Sequence, residues 1–79
     1  MDAGKTGAYL AALRKARGMT QQEAADQLGV SNKTVSKWEN GAGLPDITVL
    51  PALAELYGVT ADDILAGETL RGRPAEAQG

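Results

Sequence analysis

Five glycines, Gly18, Gly29, Gly41, Gly58 and Gly67, divide this chain into short segments. A glycine just past a helix ends it in the left-handed conformation without steric cost. Ahead of the segments stand residues that cap helix starts. Thr20 is followed three residues later by Glu23, and Thr60 by Asp63, both with capping-box spacing, and Ser31 opens another helix-period run. Val30 with Val35, and Val59 with Ile64, flank two of these caps at the spacing of a hydrophobic staple. The pattern predicts five short helices, near residues 6–16, 20–28, 31–39, 47–57 and 61–65. Pro51 leaves the fourth start open. Either the helix proper begins near Thr48, or an initial turn from Asp46 bends at a proline that lacks an N–H and suits a first turn. No window alternates with period two and the β-branched residues are scattered, so the expected fold class is all-α, with no sheet.

At 79 residues there is room for one domain. Such a chain buries roughly 60% of the surface its unfolded form exposes. It contains no cysteine and no histidine. Disulfide staples, thiolate or imidazole metal sites, and Cys–His or Ser–His catalytic pairs are thereby removed. No metal, no cofactor and no enzymatic activity are expected, and the core must form from packing alone. The lack of cysteine fits a reducing compartment. No signal-peptide-like run is present, and no apolar stretch approaches about 18 residues, so the expectation is a cytoplasmic protein with no membrane partner. Residues 1–5 are expected to be a flexible N-terminus, 6–67 the folded domain and 68–79 a flexible tail whose one large apolar residue is Leu70. Gly4-Lys5-Thr6 looks like the end of a phosphate-binding loop, but no strand precedes it. Gly41-Ala42-Gly43 reads as a helix end, not a dinucleotide fingerprint.

The net charge of −2 speaks at first sight against a nucleic-acid partner. It is unevenly spread. Residues 1–40 hold six basic groups, Lys5, Arg14, Lys15, Arg17, Lys33 and Lys37, against four acidic ones, whereas residues 41–79 hold two basic and six acidic. Phosphate binding needs local positive potential rather than a positive total, so the first half alone could supply it.

Residues 20–41 carry the most specific pattern. Two helices joined by about three residues and crossing steeply need a small side chain at the crossing and a residue tolerant of positive φ in the turn. Ala25 and Gly29 occupy those places. The inward positions Ala24, Leu28, Val30, Val35 and Trp38 are all apolar. With Val35 and Trp38 inward, helical spacing turns Asn32, Lys33, Ser36, Lys37 and Asn40 outward. Each can donate a hydrogen bond and none is acidic, which suits a helix lying against base edges and phosphates.

Leu13-Arg14-Lys15-Ala16-Arg17-Gly18, Met19-Thr20-Gln21-Gln22-Glu23, Val35-Ser36-Lys37-Trp38-Glu39-Asn40-Gly41 and Leu53-Ala54-Glu55-Leu56-Tyr57-Gly58-Val59 together resemble the lambda repressor/Cro-like (XRE) helix-turn-helix family, over residues 6–66. The resemblance implies a compact five-helix domain with its helix-turn-helix at the second and third helices, binding double-stranded operator DNA as a dimer. It implies base contacts from Asn32, Lys33 and Lys37, with Ser36 reaching a base or phosphate, and phosphate contacts from Gln21, Ser31 and Asn40. Arg14 and Glu39 match an internal ion pair, and Trp38 a core position. The function implied is a transcriptional regulator, first of all a repressor at an inverted-repeat operator. The alternatives are an antitoxin that binds both operator and toxin protein, and an adaptor that binds only protein. A homodimer surface is expected around Ile64, Leu65 and Leu70, unless Ile64 and Leu65 close the core instead.

Overall fold

The computed structural model describes residues 2–70. They form five helices: α1 (Ala3–Ala16), α2 (Gln21–Leu28), α3 (Asn32–Glu39), α4 (Leu50–Tyr57) and α5 (Ala61–Ala66). Among the described residues there is no strand. The fold is the all-α, five-helix arrangement that the segment pattern predicted.

Cap residues explain where α1, α2, α3 and α5 start. Asp2 accepts the Lys5 backbone N–H at 3.1 Å, and α1 therefore runs from Ala3. Residues 3–5, expected within a flexible N-terminus over 1–5, are helical. Aspartate caps a helix start as well as serine does. At α2 the capping box closes in both directions: Thr20 Oγ1 accepts from Glu23 N at 3.0 Å, and Glu23 Oε1 accepts from Thr20 N at 2.8 Å. Ser31 accepts Thr34 N at 3.1 Å and starts α3. Between them Gly29 sits at φ 72°, and Val30 N donates to Ala25 O at 3.1 Å, which reverses the chain within three residues. A side chain at 29 would be strained whatever space surrounded it.

The open question at Pro51 resolves as a turn before the helix. Asp46 Oδ1 accepts Thr48 N at 3.2 Å, and Asp46 O accepts Val49 N and Leu50 N. Only then does α4 begin, at Leu50 rather than near 47, with Pro51 in its first turn where a missing N–H costs nothing.

Residues 68–70, the described part of the segment expected as a tail over 68–79, hydrogen-bond back to the domain. Asp63 Oδ2 accepts Thr60 N, while its Oδ1 accepts the Leu70 backbone N–H at 2.9 Å. Thr69 and Tyr9 share a hydroxyl hydrogen bond of 2.9 Å. Lys5 and Glu68 stand 3.5 Å apart, both more than half exposed, and contribute little. The rest of the expected tail, 71–79, lies outside the described residues.

The core gathers Leu10 from α1, Ala25 from α2, Val35 and Trp38 from α3, Leu50, Leu53 and Tyr57 from α4 and Ile64 from α5. Helix α1 lies against α3 and α5, α2 against α3 and α4, and α4 against α5. Two residues of α1 set its seat. The buried Thr6 hydroxyl donates to Ile64 O at 2.9 Å, which satisfies it and ties α1 to α5. Gly7 faces the backbone end of α3. A Cβ there would run into the Trp38 carbonyl oxygen and lie 3.0 Å from that of Glu39.

Candidate nucleic-acid interface

Helix α3 has two unlike faces because its neighbours differ. Val35 and Trp38 are only 2% and 6% exposed, packed against α1 and α2. On the other side Lys33, Lys37 and Asn40 are exposed, and Asn32 and Ser36 partly so. The sequence-predicted base-reading residues thus share one accessible surface of one helix. The Lys37 stem lies over Gly43, where a Cβ would stand 3.1 Å from its Cε, so the bare loop leaves that side chain its place. Asn40 Nδ2 donates to Ser36 Oγ at 3.3 Å, one turn back. The Ser31 hydroxyl caps α3 and also bonds the Thr34 hydroxyl at 2.9 Å, so its oxygen is engaged within the helix start.

The one acid on α3 is Glu39, and it points inward. Arg14 Nε donates to Glu39 Oε2 at 2.7 Å and Arg14 Nη2 to Oε1 at 2.9 Å, a two-point grip. The two side chains are 11% and 5% exposed. Arg14 Nη1 donates further to Met19 O at 2.8 Å, which fixes the guanidinium against the α1–α2 turn. Burial pushes the Glu39 carboxyl up. The hydrogen bonds from Arg14 and Gln21, with the positive charges of Arg14 and Lys15, outweigh that and leave it below the ordinary glutamate value. Glu39 in turn raises Arg14, chiefly through its hydrogen bond and against the cost of burial. Burial and the Glu39 charge raise the Tyr57 phenol, with Arg14 opposing. The carboxylate is therefore ionised, neutralised locally and withdrawn from the outward face.

Gln21 opens α2 and is partly buried. Its Nε2 donates to Glu39 Oε1 at 3.0 Å, a contact that the sequence pattern did not reveal. Thr20 and Gln21 bring the N-terminus of α2 to this corner, where a helix leaves N–H groups without intrahelical partners and favours anions.

Two further features escaped the sequence. Gly7 looked like an unremarkable residue in a helix, though an isolated glycine in a helical pattern often marks a close approach. Ile47 and Leu44 are 77% and 42% exposed, in the loop after α3. Ile64 is fully buried, and it belongs to the core rather than to the dimer surface suggested around it. Among the described residues no group of acidic, cysteine or histidine side chains could hold a metal, and no helix is long and apolar enough to cross a membrane.

Residues 10–64 match the family described as Helix-turn-helix. BcrR of Enterococcus faecalis, an HTH-type transcriptional activator, is 41% identical over 58 residues, covering 73% of this chain and 28% of BcrR. The chain therefore spans about a quarter of that relative. YazB of Bacillus subtilis, an uncharacterized HTH-type transcriptional regulator, is 31% identical over 68 residues, covering 86% of this chain and 99% of YazB. The crystal structure of the restriction-modification controller protein C.AhdI from Aeromonas hydrophila superposes with a TM-score of 0.73 at 25% identity, covering 80% of this chain and 96% of C.AhdI. Such relatives are regulators, not enzymes.

Proposed function

The chain belongs to the XRE-type helix-turn-helix family of transcriptional regulators, and from that premise we propose that it binds double-stranded DNA sequence-specifically, as a homodimer, with α3 in the major groove. The observation that carries this reading is the outward surface of α3, rich in donors and free of acid because Glu39 is drawn inward to Arg14. On this reading Asn32, Lys33, Ser36 and Lys37 meet base edges. Lysine suits guanine O6 and N7, and asparagine suits adenine N6 and N7. Gln21, Ser31 and Asn40 meet phosphates and fix the register, with residues 6–67 as the DNA-binding unit. Occupying a site excludes other proteins from it, so repression is the simplest output. A reporter behind the bound promoter should fall when the protein is expressed and recover with Lys37→Ala.

Lys37→Ala is expected to weaken specific binding by about 1–3 kcal/mol, the worth of a good base contact, with a smaller loss on random duplex. An equal loss on both would reduce Lys37 to a phosphate contact. With about four phosphates neutralised per half-site, the logarithm of affinity should fall against the logarithm of salt with a slope near −7 for a dimer. A slope near zero would refute the interface.

Two symmetric copies double the readout of one short helix. With Ile64 in the core, the exposed large apolar side chains among the described residues are Ile47 and Leu44, in the loop that follows α3, and these are proposed to meet the second copy. Sedimentation should give a concentration-dependent dimer that Ile47→Glu dissociates. A wild type that stays monomeric both free and on DNA would sink the homodimer.

A further inference from the structure

Glu39 Oε1 accepts two hydrogen bonds, from Arg14 Nη2 at 2.9 Å and from Gln21 Nε2 at 3.0 Å. An ionised carboxylate accepts and never donates. Of the two orientations open to the Gln21 amide, Glu39 therefore selects the one with the NH2 group toward it. That NH2 group keeps a second hydrogen, and the residue is the first of α2, at a helix end that favours anions. Glu39 itself has little freedom. Its side chain is 5% exposed and gripped at both oxygens by Arg14, which is anchored in turn on the Met19 carbonyl. A rigid relay thus runs from the backbone of the α1–α2 turn, through Arg14 and Glu39, to the amide of Gln21.

We propose that Glu39 is a positioning residue for phosphate binding: it holds the Gln21 amide in the single orientation that offers its free hydrogen to a DNA phosphate at the N-terminus of α2. The proposal deepens the DNA-binding reading and rests on it. An amide frozen before binding avoids the ordering cost that a freely rotating glutamine would meet on binding. The carboxylate behind it also polarises the N–H bonds. The negative charge of Glu39 does not repel the phosphate appreciably, because Arg14 neutralises it at 2.7 Å.

A double-mutant cycle on a short random-sequence duplex tests this, since a phosphate contact is indifferent to sequence. Affinities of wild type, Gln21→Ala, Glu39→Asp and the double variant are read by fluorescence anisotropy over a range of salt. Glu39→Asp keeps a charge for Arg14 but withdraws the oxygens by one methylene. Each single variant is expected to bind about 3- to 10-fold more weakly, the span of one hydrogen bond. The double variant should bind no more weakly than Gln21→Ala, with the salt slope unchanged. Losses that multiply in the double variant would overturn the proposal, since Glu39 would then act through the fold alone. A second readout does not depend on the stability of Glu39→Asp. In the wild-type chain, the NMR signals of the Gln21 side-chain amide should be protected from exchange and shift as Glu39 is protonated, unlike those of the exposed Gln27. A Gln21 amide averaged like that of Gln27 overturns the proposal. A wild type that ignores the duplex at low salt overturns the DNA-binding reading instead, and the amide signals still report separately on the relay.

Discussion

Glu39→Ala should cost the domain about 3–5 kcal/mol, the usual penalty for removing one partner of a buried ion pair. The physical reason is what remains. Arg14 is 11% exposed and would be left with a full charge and no counterion, its Nε and Nη2 unsatisfied in a space vacated by the carboxylate. For a chain of 79 residues the whole stability is on the order of 4–12 kcal/mol. The substitution therefore consumes a large share of it. Urea unfolding followed by circular dichroism measures the loss directly. A change below about 1 kcal/mol would place the pair among exposed ion pairs, which contribute little. The same carboxylate fixes the acid limb of stability. Its value in the folded chain lies below the ordinary one, so its contribution is complete above the unfolded value, about 4.3, and disappears as pH falls through the folded value. Wild type should lose stability steeply below about pH 4, and Glu39→Gln should flatten that limb.

Gly7→Ala should destabilise the protein, whereas Gly4→Ala, in the same helix, should stabilise it. In a helix interior alanine gains about 1 kcal/mol over glycine. At Gly7 that gain is overrun. The added Cβ would meet the Trp38 carbonyl oxygen, with the Glu39 carbonyl oxygen 3.0 Å away and its carbon 3.1 Å away. These are backbone atoms that no rotamer change can move, so α1 and α3 must separate. Overpacking costs about 1–3 kcal/mol where side chains can yield and more where they cannot, which leaves a net loss of about 2 kcal/mol or more. In a domain of this size that lowers the melting temperature by roughly 10 °C. At Gly4 the nearest atom to a new Cβ is Asp2 Oδ1 at 3.4 Å, an ordinary contact. The expected result there is a small gain, below about 1 kcal/mol. Differential scanning calorimetry of the two variants checks the pair. If both move in the same direction, the close approach of α1 to α3 is not what holds glycine at position 7.

The local rules of the chain were legible without coordinates. Thr20, Ser31 and Thr60 announce their helices by hydrogen bonds that span only three residues, so a linear reading finds them. Gly29 announces the turn, because the demand for positive φ is a property of one residue. The two faces of α3 follow from helical spacing once Val35 and Trp38 are taken as inward. The first-turn cap at Asp2 acts over the same three-residue span.

What failed to show were contacts between residues far apart in the chain. Gly7 meets the carbonyls of Trp38 and Glu39, Thr6 meets Ile64, and Leu70 returns to Asp63. Whether Ile64 faced a partner or the core was undecidable from its neighbours, and only the convergence of α1, α4 and α5 encloses it completely. Gln21 and Glu39 each looked like a separate surface or ion-pair residue until the crossing of α2 and α3 brought them to 3.0 Å. The presence of five helices, the caps at Thr20, Ser31 and Thr60 and the donor-rich face of the third were therefore determined by the sequence itself, because capping, turn chemistry and helical period act over a few residues. Which glycine is irreplaceable, which apolar residue stays exposed and how the buried carboxylate reaches Gln21 were decided by the tertiary structure alone, because each depends on how closely two helices approach.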